Sequence, residues 1–96
     1  MPAYLIAEVD VTDPKAYEEY RKLTPAAVAA YGGRFIVRGG EVESKEGGWK
    51  PARLVVVQFD SMAQARKFYD SPEYAPALAI RLKAANSKLI LADGLA

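Results

Sequence analysis

The run Leu54-Val55-Val56-Val57-Gln58-Phe59 constrains this chain more than any other stretch. It is short, β-branched and apolar on both alternating faces, as expected of a strand over Arg53 to Phe59. An antiparallel strand with one wet face alternates apolar and polar residues, and this one scarcely does. Both of its faces therefore need cover.

The neighbouring segments supply one side of that cover. Residues Ala3 to Val11 alternate, with Leu5, Ala7, Val9 and Val11 opposing Tyr4, Ile6, Glu8 and Asp10, and form a first strand. Asp13-Pro14 opens a helix whose apolar positions Tyr17, Tyr20, Leu23, Ala27, Val28 and Tyr31 step by threes and fours up to Gly32-Gly33. Pro25 is expected to kink or split that helix near Thr24, because it removes a backbone donor. A second strand covers Arg34 to Arg38, bends at Gly39-Gly40 and is expected to resume at Glu41-Val42-Glu43, before a polar loop from Ser44 to Pro51.

After the central strand, Ser61-Met62-Ala63-Gln64 reads as a capping box. Met62, Ala65, Phe68 and Tyr69 form the inward stripe of the helix it starts. Ser71-Pro72-Glu73 begins a further helical segment running to about Ala85, and Lys88 to Ala92 closes as a strand ended by Asp93-Gly94. The order is β, α, β, β, α, β, with the second helix broken by Pro72 and Pro76. The predicted class is α+β: a ferredoxin-like, four-stranded antiparallel sheet with its helices on one face.

Helices on one face leave the other face of the sheet bare. Leu54 and Val56 oppose Val55, Val57 and Phe59, and Leu89 and Leu91 oppose Ile90, so either choice exposes apolar side chains. A soluble monomer rarely carries such a patch. A chain of 96 residues also gains from a partner's buried surface. The sequence predicts a two-fold homodimer stacked sheet on sheet.

Composition removes several functions. Thirteen Lys and Arg against twelve Asp and Glu leave a net charge of +1, too little for nucleic acid or an anionic membrane as partner. There is no cysteine for disulfide or thiolate chemistry and no histidine, the commonest general base and metal ligand. No metal or cofactor is expected. With no secretory pattern and no apolar run near ~18 residues, a cytoplasmic location is the expectation.

Candidate site residues cluster at the helix break. Tyr69, Ser71 and Tyr74 offer hydroxyls and Arg81 a planar guanidinium, a set suited to a small carboxylate or enolate. The same residues also suit plain structural roles, with Ser71 as a cap, the tyrosines as packing and Arg81 in a surface ion pair. Arg38 is expected to point inward, and with strand order 4-1-3-2 it could join Glu8 and Gln58 in a polar row, serving either a ligand or a structural ion pair. Tyr20 is a further pocket candidate among the helix tyrosines. A closed cavity of roughly 300 Å³, with an arginine and a tyrosine hydroxyl converging in it, favours a ligand; a solid core favours a module that works through its dimer.

The run Val11-Thr12-Asp13-Pro14, Tyr17 with Glu19-Tyr20, the pair Gln58-Phe59, the stretches Tyr31-Gly32-Gly33-Arg34 and Arg38-Gly39-Gly40, Glu46-Gly47 with Trp49, Arg53, and Ala65 with Phe68-Tyr69-Asp70-Ser71-Pro72-Glu73-Tyr74 and Arg81 together form a pattern. It resembles DUF1330, a family of small bacterial proteins in the dimeric α/β barrel superfamily. The resemblance spans nearly the whole chain and implies one DUF1330-like domain over residues 1–96, a ferredoxin-like fold and a sheet-to-sheet dimer. Other branches of the superfamily include cofactor-free monooxygenases, haem dye peroxidases and muconolactone isomerases, all using a pocket between sheet and helices. Fold does not carry their activities across. The expected function is that of a small cytoplasmic homodimer binding a small organic molecule between sheet and helices, with no defined reaction. The alternative is a cofactor-independent enzyme acting on a small aromatic, enol or lactone.

Overall fold

The computed structural model describes residues 1–95. Strand β1 covers Ala3–Val11, helix α1 Pro14–Ala30, β2 Arg34–Arg38, β3 Leu54–Phe59, α2 Met62–Tyr69, α3 Ala75–Ala84 and β4 Ala85–Asp93. The four strands form one antiparallel sheet in the order β2-β3-β1-β4. This is the ferredoxin-like arrangement that the alternation predicts.

Local chemistry sets the helix starts. Asp13 Oδ1 accepts from the Ala16 amide at 3.2 Å, and Ser61 Oγ accepts from the Gln64 amide at 3.1 Å. The capping box is only half made, since the Gln64 side chain donates to the Tyr31 carbonyl at 3.0 Å and not back to the cap. Gly32, at φ +72°, turns the chain out of α1 as no β-substituted residue readily would.

Helix α1 is not split at Pro25; it runs as one segment through it. Pro25 cannot donate to the Arg21 carbonyl four residues earlier, and Arg38 Nη2 donates to that carbonyl instead, at 3.1 Å. The missing bond is replaced from the neighbouring strand.

Strand β2 does not resume at Glu41 to Glu43; residues 39–53 are an irregular loop. The extra residue that bends β2 lies earlier, at Ile36, where the register slips between Phe35 and Val37. The slip has a consequence for Arg38. Opposite Val55 it shares the inner face, while Glu8 and Gln58, paired with Leu54 and Tyr4, share the outer one. The expected polar row of Glu8, Gln58 and Arg38 therefore does not form.

Residues 72–74 form a turn and α3 starts only at Ala75, so Ser71 caps the turn and does not begin a long helix. Strand β4 is longer than its apolar centre suggests, starting at Ala85 because it pairs with β1 along its whole length.

All three helices cover the inner face, where Leu5, Ala7, Val9, Val57, Phe59, Phe68 and Tyr74 are buried. Helix α1 packs mainly against α3 and stands off the sheet. Its tyrosines bridge the gap. The outer face carries the cross-strand row Val37, Val56, Ile6 and Ile90 with no layer of this chain over it, and Ile90 is 58% exposed. Among the described residues no helix is long and apolar enough to cross a membrane.

Candidate ligand-binding site

The gap between α1 and the sheet holds a cavity of about 30 Å³. Its apolar floor is the inner sheet face, from Leu5, Ala7 and Val9 across Val55 and Val57 to Phe35, and its roof is Tyr17, Tyr20, Thr24 and Val28 of α1. Such a space holds roughly a water or two, well short of the ~300 Å³ that marks a preformed small-molecule pocket. Arginine and tyrosine side chains line it together, but its volume alone falls on the solid-core side of that mark.

Four of the six candidate residues line this cavity: Tyr20, Arg38, Tyr74 and Arg81. The Tyr20 and Tyr74 hydroxyls are 2.8 Å apart and share a hydrogen bond. Burial pushes the Tyr20 phenol above its ordinary range, and the neighbouring Tyr74 adds to the effect, so it is a neutral donor or acceptor and not a base. Arg81 is 3% exposed, its Nη1 donates to Ser87 Oγ, and its guanidinium carbon lies 6.0 Å from the Tyr20 ring centroid. It is not in the surface ion pair that its sequence context also allowed. Burial works against the Arg81 charge, but the surrounding tyrosines, Tyr74 foremost, outweigh it and raise its pKa.

Tyr69 and Ser71 do not line the cavity. The Tyr69 ring packs tilted against that of Tyr74, centroids 6.0 Å apart, and is not among the lining residues. The Ser71 hydroxyl donates to the Phe68 carbonyl at 2.7 Å and accepts from the Tyr74 amide at 3.1 Å. It positions Tyr74.

Arg38 is exposed at the open side, spanning from the Phe35 ring, 4.5 Å away, to the Arg21 carbonyl. Arg53 was missed by sequence reasoning. It lines the cavity, its guanidinium carbon sits 5.6 Å from the Tyr17 ring, and its Nε is buried with no protein partner. Its parity with Val55, Val57 and Phe59 is the signal that places it inward. Gly39, at φ +75°, makes room for it, since a Cβ there would stand 2.2 Å from Arg53 Nη1.

The family model described as a domain of unknown function, DUF1330, matches residues 2–95. The chain belongs to the DUF1330 family. No curated protein matches this DUF1330 sequence. Among solved structures, its fold is similar to that of a protein of unknown function from Rhodopseudomonas palustris, at 19% identity and TM-score 0.72, covering 99% of this chain and 83% of that one. It is similar to SnoaB, a cofactor-independent oxygenase from Streptomyces nogalater, at 14% identity and TM-score 0.70, with coverage of 99% and 94%. A dimeric ferredoxin-like protein of unknown function from Jannaschia sp. CCS1 matches at 11% identity and TM-score 0.74, with coverage of 98% and 100%. At these identities the likeness of the DUF1330 chain to them is one of fold.

Proposed function

We propose that this DUF1330 protein is a cytoplasmic homodimer, stacked sheet on sheet, in which each chain binds a small organic molecule between its sheet and helices. The observation that carries the binding reading is the convergence of the Tyr20–Tyr74 hydroxyl pair with buried Arg81 in one aromatic-walled space. A polar cluster of this kind inside a mostly apolar cleft is how small-molecule sites orient their ligands. The narrow volume is consistent with a site that opens on binding, since the long side chains of Arg21, Arg38 and Arg53 line it and rotate at low cost.

The dimer reading rests on the bare outer row of Ile6, Val37, Val56 and Ile90. Trp49 stands at the edge of that face, 64% exposed and donating to Glu8 at 3.4 Å. A second copy laid across the row removes these side chains from water.

A second reading, a cofactor-independent enzyme on an aromatic, enol or lactone, is favoured by the likeness in fold to SnoaB. In that case Arg81 and a phenol donor would stabilise negative charge on a substrate oxygen. The experiment for the main reading is a thermal-shift screen with small carboxylates, phenols and quinones. A ligand at 100 times its dissociation constant adds about 2.7 kcal/mol, roughly 10 °C or more for a domain of this size. No shift from any class would sink the binding proposal.

A further inference from the structure

We infer that the molecule held in this cavity is an organic carboxylate with a small flat apolar body, its charged end pairing with Arg81. This rests on the proposed binding reading and names its ligand class.

Four arginines, Arg21, Arg38, Arg53 and Arg81, are among the lining residues, and no Asp or Glu is among the described ones. Arg21 is accounted for by Glu18 at 3.3 Å, on the exposed side of α1. Among the described residues the other ion pairs are Lys22–Glu19 and Lys45–Glu43, so Arg81 has no carboxylate counterpart. A guanidinium does not shed its proton to escape burial, as a lysine can. Arg81 is thus a permanent cation, almost wholly out of water, among tyrosines and Ser87. Hydroxyl groups and ring faces support that charge but none carries a full counter-charge, which leaves a place for an anion from outside the chain.

The donor set fits one functional group. With Nη1 held by Ser87, Arg81 keeps its Nε, which is buried and has no protein partner. The Nε edge of a guanidinium matches the two oxygens of a carboxylate. The Tyr20–Tyr74 hydrogen bond consumes one of two hydroxyl protons, and the other is free to donate to the same carboxylate. Around this polar end stand Tyr17, Phe68, Val28 and Leu89, flat or branched apolar walls. Arg38 and Arg53 keep the open side positive, which draws an anion in.

The test is titration calorimetry on the full wild-type chain with three pairs of equal shape and different charge: acetate and acetamide, benzoate and benzamide, 4-hydroxybenzoate and 4-hydroxybenzamide. Sodium chloride serves as the ionic-strength control. At least one carboxylate is expected to bind roughly tenfold to a hundredfold more tightly than its amide, the scale of a charge-assisted hydrogen bond. If amide and carboxylate bind equally, the anion inference is overturned and the binding reading stands. Silence from all three pairs, alongside a silent thermal-shift screen, overturns both. No variant is needed, so a folding defect cannot obscure the result.

Discussion

The two faces of the sheet meet the same demand in different ways. On the inner face the helices bury Leu5, Ala7, Val9, Val57 and Phe59, and the chain is complete enough to hold a charged side chain, Arg81, at 3% exposure. On the outer face the row from Val37 to Ile90 has no cover from its own chain. The contrast separates two tasks. Under the proposed function, the inner face would carry the ligand site within one chain, and the outer face is where a second copy would contribute stability.

The largest effect expected is on the outer face. Val56→Asp places a carboxylate at the centre of the apolar row, and two-fold symmetry doubles the change. An unpaired buried charge costs about 3–5 kcal/mol per copy, enough to separate the dimer at micromolar concentration. Sedimentation should report twice the 10.5 kDa chain mass for the wild type and a single chain for the variant, with the helical circular dichroism retained. Two chains in both would show that this face is not the seam.

On the inner face, Arg81→Met should separate function from stability. Replacing a buried, unpaired cation with an apolar residue of similar length is often neutral or favourable, so urea unfolding should change by no more than about 1 kcal/mol or show a gain. Ligand binding should fall by roughly tenfold or more. A loss of several kcal/mol would make Arg81 a structural residue.

Pro25→Ala returns the helical donor to the Arg21 carbonyl and releases Arg38. Helix propensity favours the alanine, while the lost Arg38 bond and the freer unfolded chain oppose it, for a net gain of about 1–2 kcal/mol by denaturant unfolding. A destabilisation would mean that Arg38 contributes more to the fold than the helix bond it replaces.

Tyr20 gives the smallest effect near neutral pH. Its phenol has a folded pKa raised above the ordinary 10.0, so folded and unfolded states hold the same proton below pH 10. Above that the unfolded state releases it first, and stability falls as pH rises, by about 1.4 kcal/mol per unit until the folded value is reached. Tyr20→Phe should remove that part of the slope and cost only about 1 kcal/mol at pH 7. An unchanged slope in the variant would mean that the Tyr20 hydroxyl is not buried.

The elements were legible because their signals are local. Alternation marked β1, Asp13 and Ser61 marked helix starts, and the two-faced run at β3 implied a sheet needing cover on both sides. What escaped the sequence depended on contacts between distant residues. The continuity of α1 through Pro25 is secured by Arg38, 17 residues from the carbonyl it serves. Arg38 faces inward as expected, but through a bulge at Ile36 that no glycine announced and that takes it out of the row with Glu8 and Gln58. Tyr20, Tyr74 and Arg81 were visible as chemistry, but Tyr69 and Ser71 sat beside them in sequence and fell outside the cavity. Arg53, inward by simple parity, was passed over because it stands at the edge of an apolar strand.

The most direct test follows the Arg81 guanidinium itself. In the 1H–15N spectrum of the Nε–H groups, assigned through Arg81→Met, titration with the tightest-binding carboxylate should move the Arg81 Nε–H signal downfield and saturate at the calorimetric affinity. An Arg81 signal that stays still while the ligand binds would contradict the placement of an anion on this buried charge.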